Sequence, residues 1–224
     1  MTMLSNLELM RRVPLFAMLN DVQLTAVGKA VVKRRFKRGE TIVEQGKTSN
    51  ALFILLNGRA RVISTNSRGR EVILAVLEPG HHAGEMSLID SEPHSATVRA
   101  ETQTDVLMLG SEEFAHCLRE NPSMAYAVMR SLVQRLRHAS RRIETLALMD
   151  VYGRVARALL EFAADAGAGE MVIQKKISRQ DIAKMIGASR EIVSLVMKEL
   201  EENGLIQTQE NGSILIKHPL STLS

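Results

Sequence analysis

A chain of 224 residues, 45% hydrophobic and 24% charged, has room for one large or two modest globular domains and is too ordinary in composition to be disordered or collagenous. Its one cysteine, Cys117, rules out an internal disulfide, a tetrathiolate zinc site and an iron–sulfur cluster ligated within one chain, and no apolar run nears the roughly 18–20 residues of a membrane span. The net charge of +4 does not by itself indicate a nucleic-acid binder, because from Asp150 onward nine basic residues face ten acidic ones and the excess of +5 lies in Met1–Met149.

Met1–Arg12 has no basic segment followed by a long apolar core, so a cytoplasmic, reducing setting without membrane contact is expected. Asp21–Val32 reads as a short amphipathic helix. Short β-rich runs follow, at Thr41–Gly46, Ala51–Gly58, Arg61–Ser64, Glu71–Leu77, Ala96–Ala100 and Asp105–Leu109. Glycines punctuate them, and Ser67-Arg68-Gly69 has the composition of a hairpin tip. Such runs suggest antiparallel strands in a small roll or barrel.

From Ser111 the period becomes helical, with Ser111 as N-cap and Glu112 and Glu113 in the first turn. A long helix begins near Pro122. Along it Leu132, Leu136, Ala139, Ile143 and Leu146 are spaced 4, 3, 4, 3, a heptad seam expected to pair two chains. Its flanks carry Arg130, Arg135, Arg137, Arg141 and Arg142, too polar to bury in one domain. Beyond Asp150 come an amphipathic helix to Ala164, a loop over Asp165–Glu170, two short helices and a hairpin. The hairpin rests on Asn211-Gly212, between Leu205–Thr208 and Ile214–Ile216.

The two short helices carry the most specific chemistry. Ser178-Arg179-Gln180-Asp181 fits a capping box with Asp in the Glu position. Ala183 is small enough for a close helix crossing, Gly187 tolerates the positive φ that a tight turn needs, and Val193 and Val196 can lock a second helix onto the first. That helix is capped by Ser189 and begins with exposed Arg190 and Glu191. Arg can hold a guanine in bidentate fashion and Glu can accept from a cytosine amino group. Lys175, Lys176, Arg179, Lys184 and Lys198 surround the motif as phosphate contacts. One basic face on a nearly neutral domain is enough for a helix-turn-helix.

Ile177–Val193 resembles the winged helix-turn-helix of the cyclic-AMP receptor protein and FNR superfamily of bacterial transcription regulators. Leu148–Arg154 is similar to that family's hinge. Pro79-Gly80, Gly84–Leu88 and Ser95–Val98 resemble its phosphate-binding cassette, and Val13–Phe16, Phe36, Gly39-Glu40 and Gln45-Gly46 its opening. The resemblance implies an α+β fold: a β-roll effector domain (1–122), a dimerisation helix (123–149) and a winged helix-turn-helix (150–224). It implies a homodimeric regulator on a near-palindromic DNA site, with RNA polymerase as a further partner and no catalytic or metal residues. Ser178, Arg179, Gln180, Ser189, Arg190, Glu191 and Lys198 would meet DNA. Where relatives carry a second Arg one turn later, this chain has Leu195, which cannot donate a hydrogen bond but could meet a thymine methyl.

The implied effector site comprises Gly84, Glu85, Met86, Ser87, His94 and Ser95, with Arg135, Ala139 and Ser140 from the long helix. Two of these depart from the cyclic-AMP pattern. His94 stands in place of an Arg on the cyclic phosphate, and a neutral imidazole cannot replace a bidentate guanidinium. Ala139-Ser140 replaces a Thr-Ser pair. A cyclic mononucleotide such as cAMP, a cyclic dinucleotide and no ligand remain as alternatives. Two other functions compete: a cyclic-nucleotide-binding protein that acts on a protein partner, and a cupin-type metal enzyme. The second needs a His/Glu set on facing strands, and His81 and His82, being adjacent, point to opposite faces of a strand.

Overall fold

A computed structural model of the chain describes residues 6–11, 13–167, 170–174, 177–209 and 211–217. It divides into two compact units, Met1–Arg135 and Leu136–Ser224. The first unit opens with helix α1 (Asn6–Arg11), a 3-10 turn at Pro14–Phe16 and helix α2 (Asp21–Ala30). Asn20 and Gln23 cap α2 reciprocally, each side chain accepting from the other's backbone N–H at 2.9 and 3.0 Å. The helix stops at Ala30 rather than Val32, because Val31 and Val32 already belong to strand β1 (Val31–Phe36). Adjacent β-branched residues favour that state.

Strands β2 (Thr41–Val43), β3 (Ala51–Asn57), β4 (Ala60–Thr65), β5 (Glu71–Leu77) and β6 (His82–Ala83) follow, then helix α3 (Glu85–Asp90), β7 (Thr97–Ala100) and β8 (Thr104–Gly110). They form two four-stranded sheets, in the orders β1-β8-β3-β6 and β2-β7-β4-β5, with antiparallel pairing throughout. At the β4–β5 tip, Asn66 Oδ1 accepts from the N–H groups of Arg68 and Arg70, and Gly69 takes φ +74°.

Strand β3 explains the long apolar run Leu52–Leu55, all of it buried. Phe53 and Leu55 point into the roll, against Phe36, Val98 and Val106. Leu52 and Ile54 point outward, under the helices, against Phe16, Leu24 and Phe114. A strand covered on both faces loses polar alternation. Helix α4 (Ser111–Glu120) and the start of helix α5 (Pro122–Leu148) complete that cover through Phe114, Met124 and Val128.

The second unit holds the end of α5, helix α6 (Val151–Phe162), strands β9 (Ala164–Gly167) and β10 (Glu170–Ile173), helices α7 (Arg179–Ile186) and α8 (Arg190–Glu202), and strands β11 (Ile206–Thr208) and β12 (Ile214–Ile216). The expected loop over Asp165–Glu170 is largely strand. Met171 and Val172 pair with β12 and recruit Asp165 and Ala164 on their other side. The sheet order is β11-β12-β10-β9, and Val155, Leu159, Ile173, Ile182, Val193, Leu200 and Ile216 form the core beneath it. At the β11–β12 turn Asn211 Oδ1 accepts from Ser213 N–H and Gly212 takes φ +82°; Glu210 lies outside the described residues.

Candidate DNA interface and effector site

The residues of the expected helix-turn-helix lie on α7 and α8. Ser178 caps α7, its hydroxyl accepting from Asp181 N–H at 3.0 Å. Gly187 ends the helix at φ +69°, and Ser189 caps α8 by accepting from Ile192 N–H at 3.2 Å. Ala183, Val193 and Val196 are buried where the helices meet. The inner face of α8 is Val193, Val196, Met197 and Leu200. Arg179, Gln180, Arg190, Glu191 and Lys198 are exposed. The Glu191 carboxyl accepts from its own backbone N–H and from the Ser189 hydroxyl, which holds its pKa below the usual value. Lys198 pairs with Glu202 one turn on, at 3.3 Å, a loose surface contact that a phosphate can displace. Lys175 and Lys176 lie outside the described residues.

Arg154 braces the motif from α6, donating to the Ile186 carbonyl at the end of α7 at 3.0 Å. Asp150 caps the start of α6, its carboxylate accepting from Gly153 N–H at 2.8 Å.

The cassette is built around α3. Gly84, at φ +93°, opens this helix where a Cβ would lie 2.8 Å from the Ala51 carbonyl, so only glycine fits. Glu85 is 1% exposed, and its Oε1 accepts from Arg135 of α5 at 2.7 Å. The other nitrogen of that guanidinium donates to the His82 carbonyl. Burial raises the Glu85 pKa, against the opposing pull of Arg135. Its Oε2 has no partner among the described residues, nor has His82 Nε2.

His94 is buried between two hydroxyls, Ser87 at Nδ1 and Ser49 at Nε2, both at 2.8 Å. Desolvation lowers its pKa, and a neutral ring that donates at one nitrogen and accepts at the other suits two hydroxyls. Ser95 and Met86 are exposed. Ala139 and Ser140 are exposed on α5 beyond Arg135, and the Ser140 hydroxyl donates to the Leu136 carbonyl at 3.0 Å. The cassette therefore gathers Glu85, Ser87, His94 and Arg135 at short range, while Ala139 and Ser140 lie in the other unit.

Sequence reasoning missed Ser49, 45 residues from its partner His94, and the burial of His82. Desolvation, with the nearby charges of Arg135 and His81, lowers the His82 pKa from 6.5 to about 3. The unfolded ring takes up a proton below pH 6.5 that the folded ring refuses, so stability falls as pH drops from 6.5 towards 3. Between pH 7 and pH 5 the wild type is expected to lose about 2 kcal/mol more stability than His82→Gln. Urea unfolding at the two pH values measures this, and equal acid sensitivity would refute it. His81 faces outward, its Nδ1 accepting from Glu78 N–H at 3.0 Å. Among the described residues no three His, Cys, Asp or Glu side chains gather as a metal-binding group.

Of the seam expected on α5, Leu136, Ala139, Ile143 and Leu146 are exposed, and Leu132 packs on its own unit's core with Val128 and Met124. Tyr126, Met129 and Val133 are exposed on the same helix.

Residues 33–121 match the family of cyclic nucleotide-binding domains, and residues 153–220 match the family of Crp-like helix-turn-helix domains. The cAMP-activated global transcriptional regulator Vfr of Pseudomonas aeruginosa is 33% identical over 183 residues, covering 79% of this chain and 86% of that protein. A transcriptional regulator of the CRP/FNR family from Thermus thermophilus shares the fold at a TM-score of 0.68 and 27% identity, over 86% of this chain and 97% of the other. The c-di-GMP responsive regulator CLP of Xanthomonas campestris shares it at 0.77 and 23% identity, over 88% and 99%. The class that fold and site define is a DNA-binding transcription regulator with a cyclic-nucleotide-binding roll and a winged helix-turn-helix. Within that class, the chain belongs to the CRP/FNR family. Its relatives are transcription regulators rather than enzymes, and no helix among the described residues is long and apolar enough to cross a membrane.

Proposed function

We propose that the chain works in the cytoplasm as a homodimer that reads a near-palindromic operator and acts on transcription by RNA polymerase. Residues 1–122 receive an effector, 123–149 pair the two copies and 150–224 read DNA. Ser178, Arg179, Gln180, Ser189, Arg190, Glu191 and Lys198 make the DNA contacts, with Arg190 on a guanine and Lys198 on a phosphate. The observation that carries this reading is the start of α8, a capped helix whose first turn presents an unburied Arg190 and an ionised Glu191. Selection from a random duplex library is expected to yield a palindrome with half-sites about one helical turn apart. On it, Arg190→Ala should cost roughly 1–3 kcal/mol and relax guanine preference at one step. Unchanged specificity in a gel shift would remove Arg190 as the reader.

The effector in this proposal is a cyclic nucleotide held at Gly84, Glu85, Met86, Ser87, His94, Ser95 and Arg135. Glu85 Oε2 supports the choice, since a buried carboxylate oxygen with no partner among the described residues suits a ribose hydroxyl. The cAMP-activated relative points the same way. With His94 engaged by Ser49 and Ser87, the phosphate loses the usual guanidinium, and Arg135 is the cation at Glu85. Binding would favour one setting of the long helices and hence one spacing of the recognition helices. Calorimetry with cAMP and with cyclic di-GMP is expected to show saturable binding of one of them. Binding of neither would overturn the effector assignment.

A further inference from the structure

We propose that Leu195 reads the C5-methyl group of a pyrimidine, thymine in unmodified DNA, at one step of each half-site. The inference rests on α8 as the reading helix. At 3.6 residues per turn, Glu191, Leu195, Lys198 and Glu202 succeed one another along one stripe of α8, opposite the buried Val193, Val196, Met197 and Leu200. Glu191, Lys198 and Glu202 are charged and exposed, and Leu195 sits among them at 66% exposure. Ile192, at 44%, flanks it. Neither belongs to the apolar core of the unit, so packing within the domain does not account for them.

Leucine has no donor or acceptor and cannot use the hydrogen-bond code of base edges. The major groove offers one apolar group to such a side chain, the C5-methyl of thymine, which methylated cytosine also carries. Arg190 lies more than one helical turn before Leu195, so a guanine and a methylated pyrimidine would be read at separate steps of the half-site. Discrimination has a repulsive part as well. An unmethylated cytosine turns its amino group towards the leucine, which would strip that group of water without offering a bond.

The test uses the full-length protein and the operator selected from a random duplex library, without effector and with cAMP or cyclic di-GMP. Each thymine is replaced in turn by deoxyuridine, which removes only the methyl. At one thymine per half-site the wild type is expected to bind roughly fourfold more weakly, and roughly fifteenfold when both half-sites change, as for burial of about one methyl each. Leu195→Ala, which trims an exposed side chain and leaves the core intact, should show no such loss. With cytosine placed at the same step, its C5 methylation should strengthen wild-type binding by a similar factor and leave Leu195→Ala unaffected. An enriched operator whose binding ignores these methyl groups, or on which both proteins respond alike, overturns the role of Leu195 alone. Enrichment of no sequence under any condition overturns α8 as the reading helix, and this inference with it.

Discussion

Leu136→Glu combined with Ile143→Glu is expected to convert the proposed dimer into monomers. Both side chains are two-thirds exposed in the single chain and belong to no core, so their replacement leaves each unit folded. In a pair of α5 helices they would be central seam positions, with Tyr126, Met129 and Val133 on one side of them and Ala147 on the other. Four carboxylates would then be buried against one another without cations between them. Uncompensated burial of this kind costs at least about 3 kcal/mol, or more than roughly a hundredfold in dissociation constant. Sedimentation velocity reads the outcome, with circular dichroism to confirm the helix content. An undisturbed dimer would place the interface elsewhere. Operator binding should fall with dimerisation, since one recognition helix reads only half a palindrome.

Removing Arg135 has a comparable effect through a different cause. Glu85 is almost wholly buried, and among the described residues Arg135 supplies the cation bonded to it. Arg135→Ala leaves that carboxylate either charged without its cation or protonated at the cost of taking up a proton from neutral solution. The guanidinium is itself partly exposed, which places the loss near the lower end of the range for broken buried pairs, about 3 kcal/mol. The burial that already raises the Glu85 pKa would then lose its opposing cation, so relative to wild type the variant should gain stability as pH falls and Glu85 takes up a proton. Denaturant unfolding at pH 7 and pH 5 tests both points. Adding Glu85→Gln to Arg135→Ala should recover part of the loss, because the charge is gone. A single variant as stable as wild type would mean that the pair contributes nothing to the fold.

Much of this architecture could be read from local signals. The Ser67–Gly69 and Asn211-Gly212 turns, the caps at Ser178 and Ser189 and the break at Gly187 each depend on residues within a few positions of one another. Such features follow from backbone chemistry that the neighbours alone decide. What escaped depends on distance in sequence. Ser49, Ser87 and His94 meet because β-roll topology brings three segments together, and no spacing rule encodes that. The packing of Leu132 on its own unit was not legible, because Leu132 and Val133 are both apolar. Only the packing of α5 on its own unit shows that Leu132 is claimed by that core and Val133 is left outside. The β9–β10 pairing was missed because the glycine-rich stretch looks like a loop until β12 supplies a neighbouring strand.

Strand β1 carries three of the cations of the N-terminal part, Lys33, Arg34 and Arg35. It is the outermost strand of its sheet, and residues 32–35 are all exposed. Lys33 and Arg35 reach the Asp105 carboxylate at 3.8 and 2.6 Å, and Arg34 lies 4.7 Å from the centre of the Phe36 ring. A bare outer strand invites a second molecule to extend the sheet, and repeated like charge along it repels such a visitor. The expected consequence is colloidal: neutralising all three should make the protein more prone to associate edge to edge and precipitate at low salt.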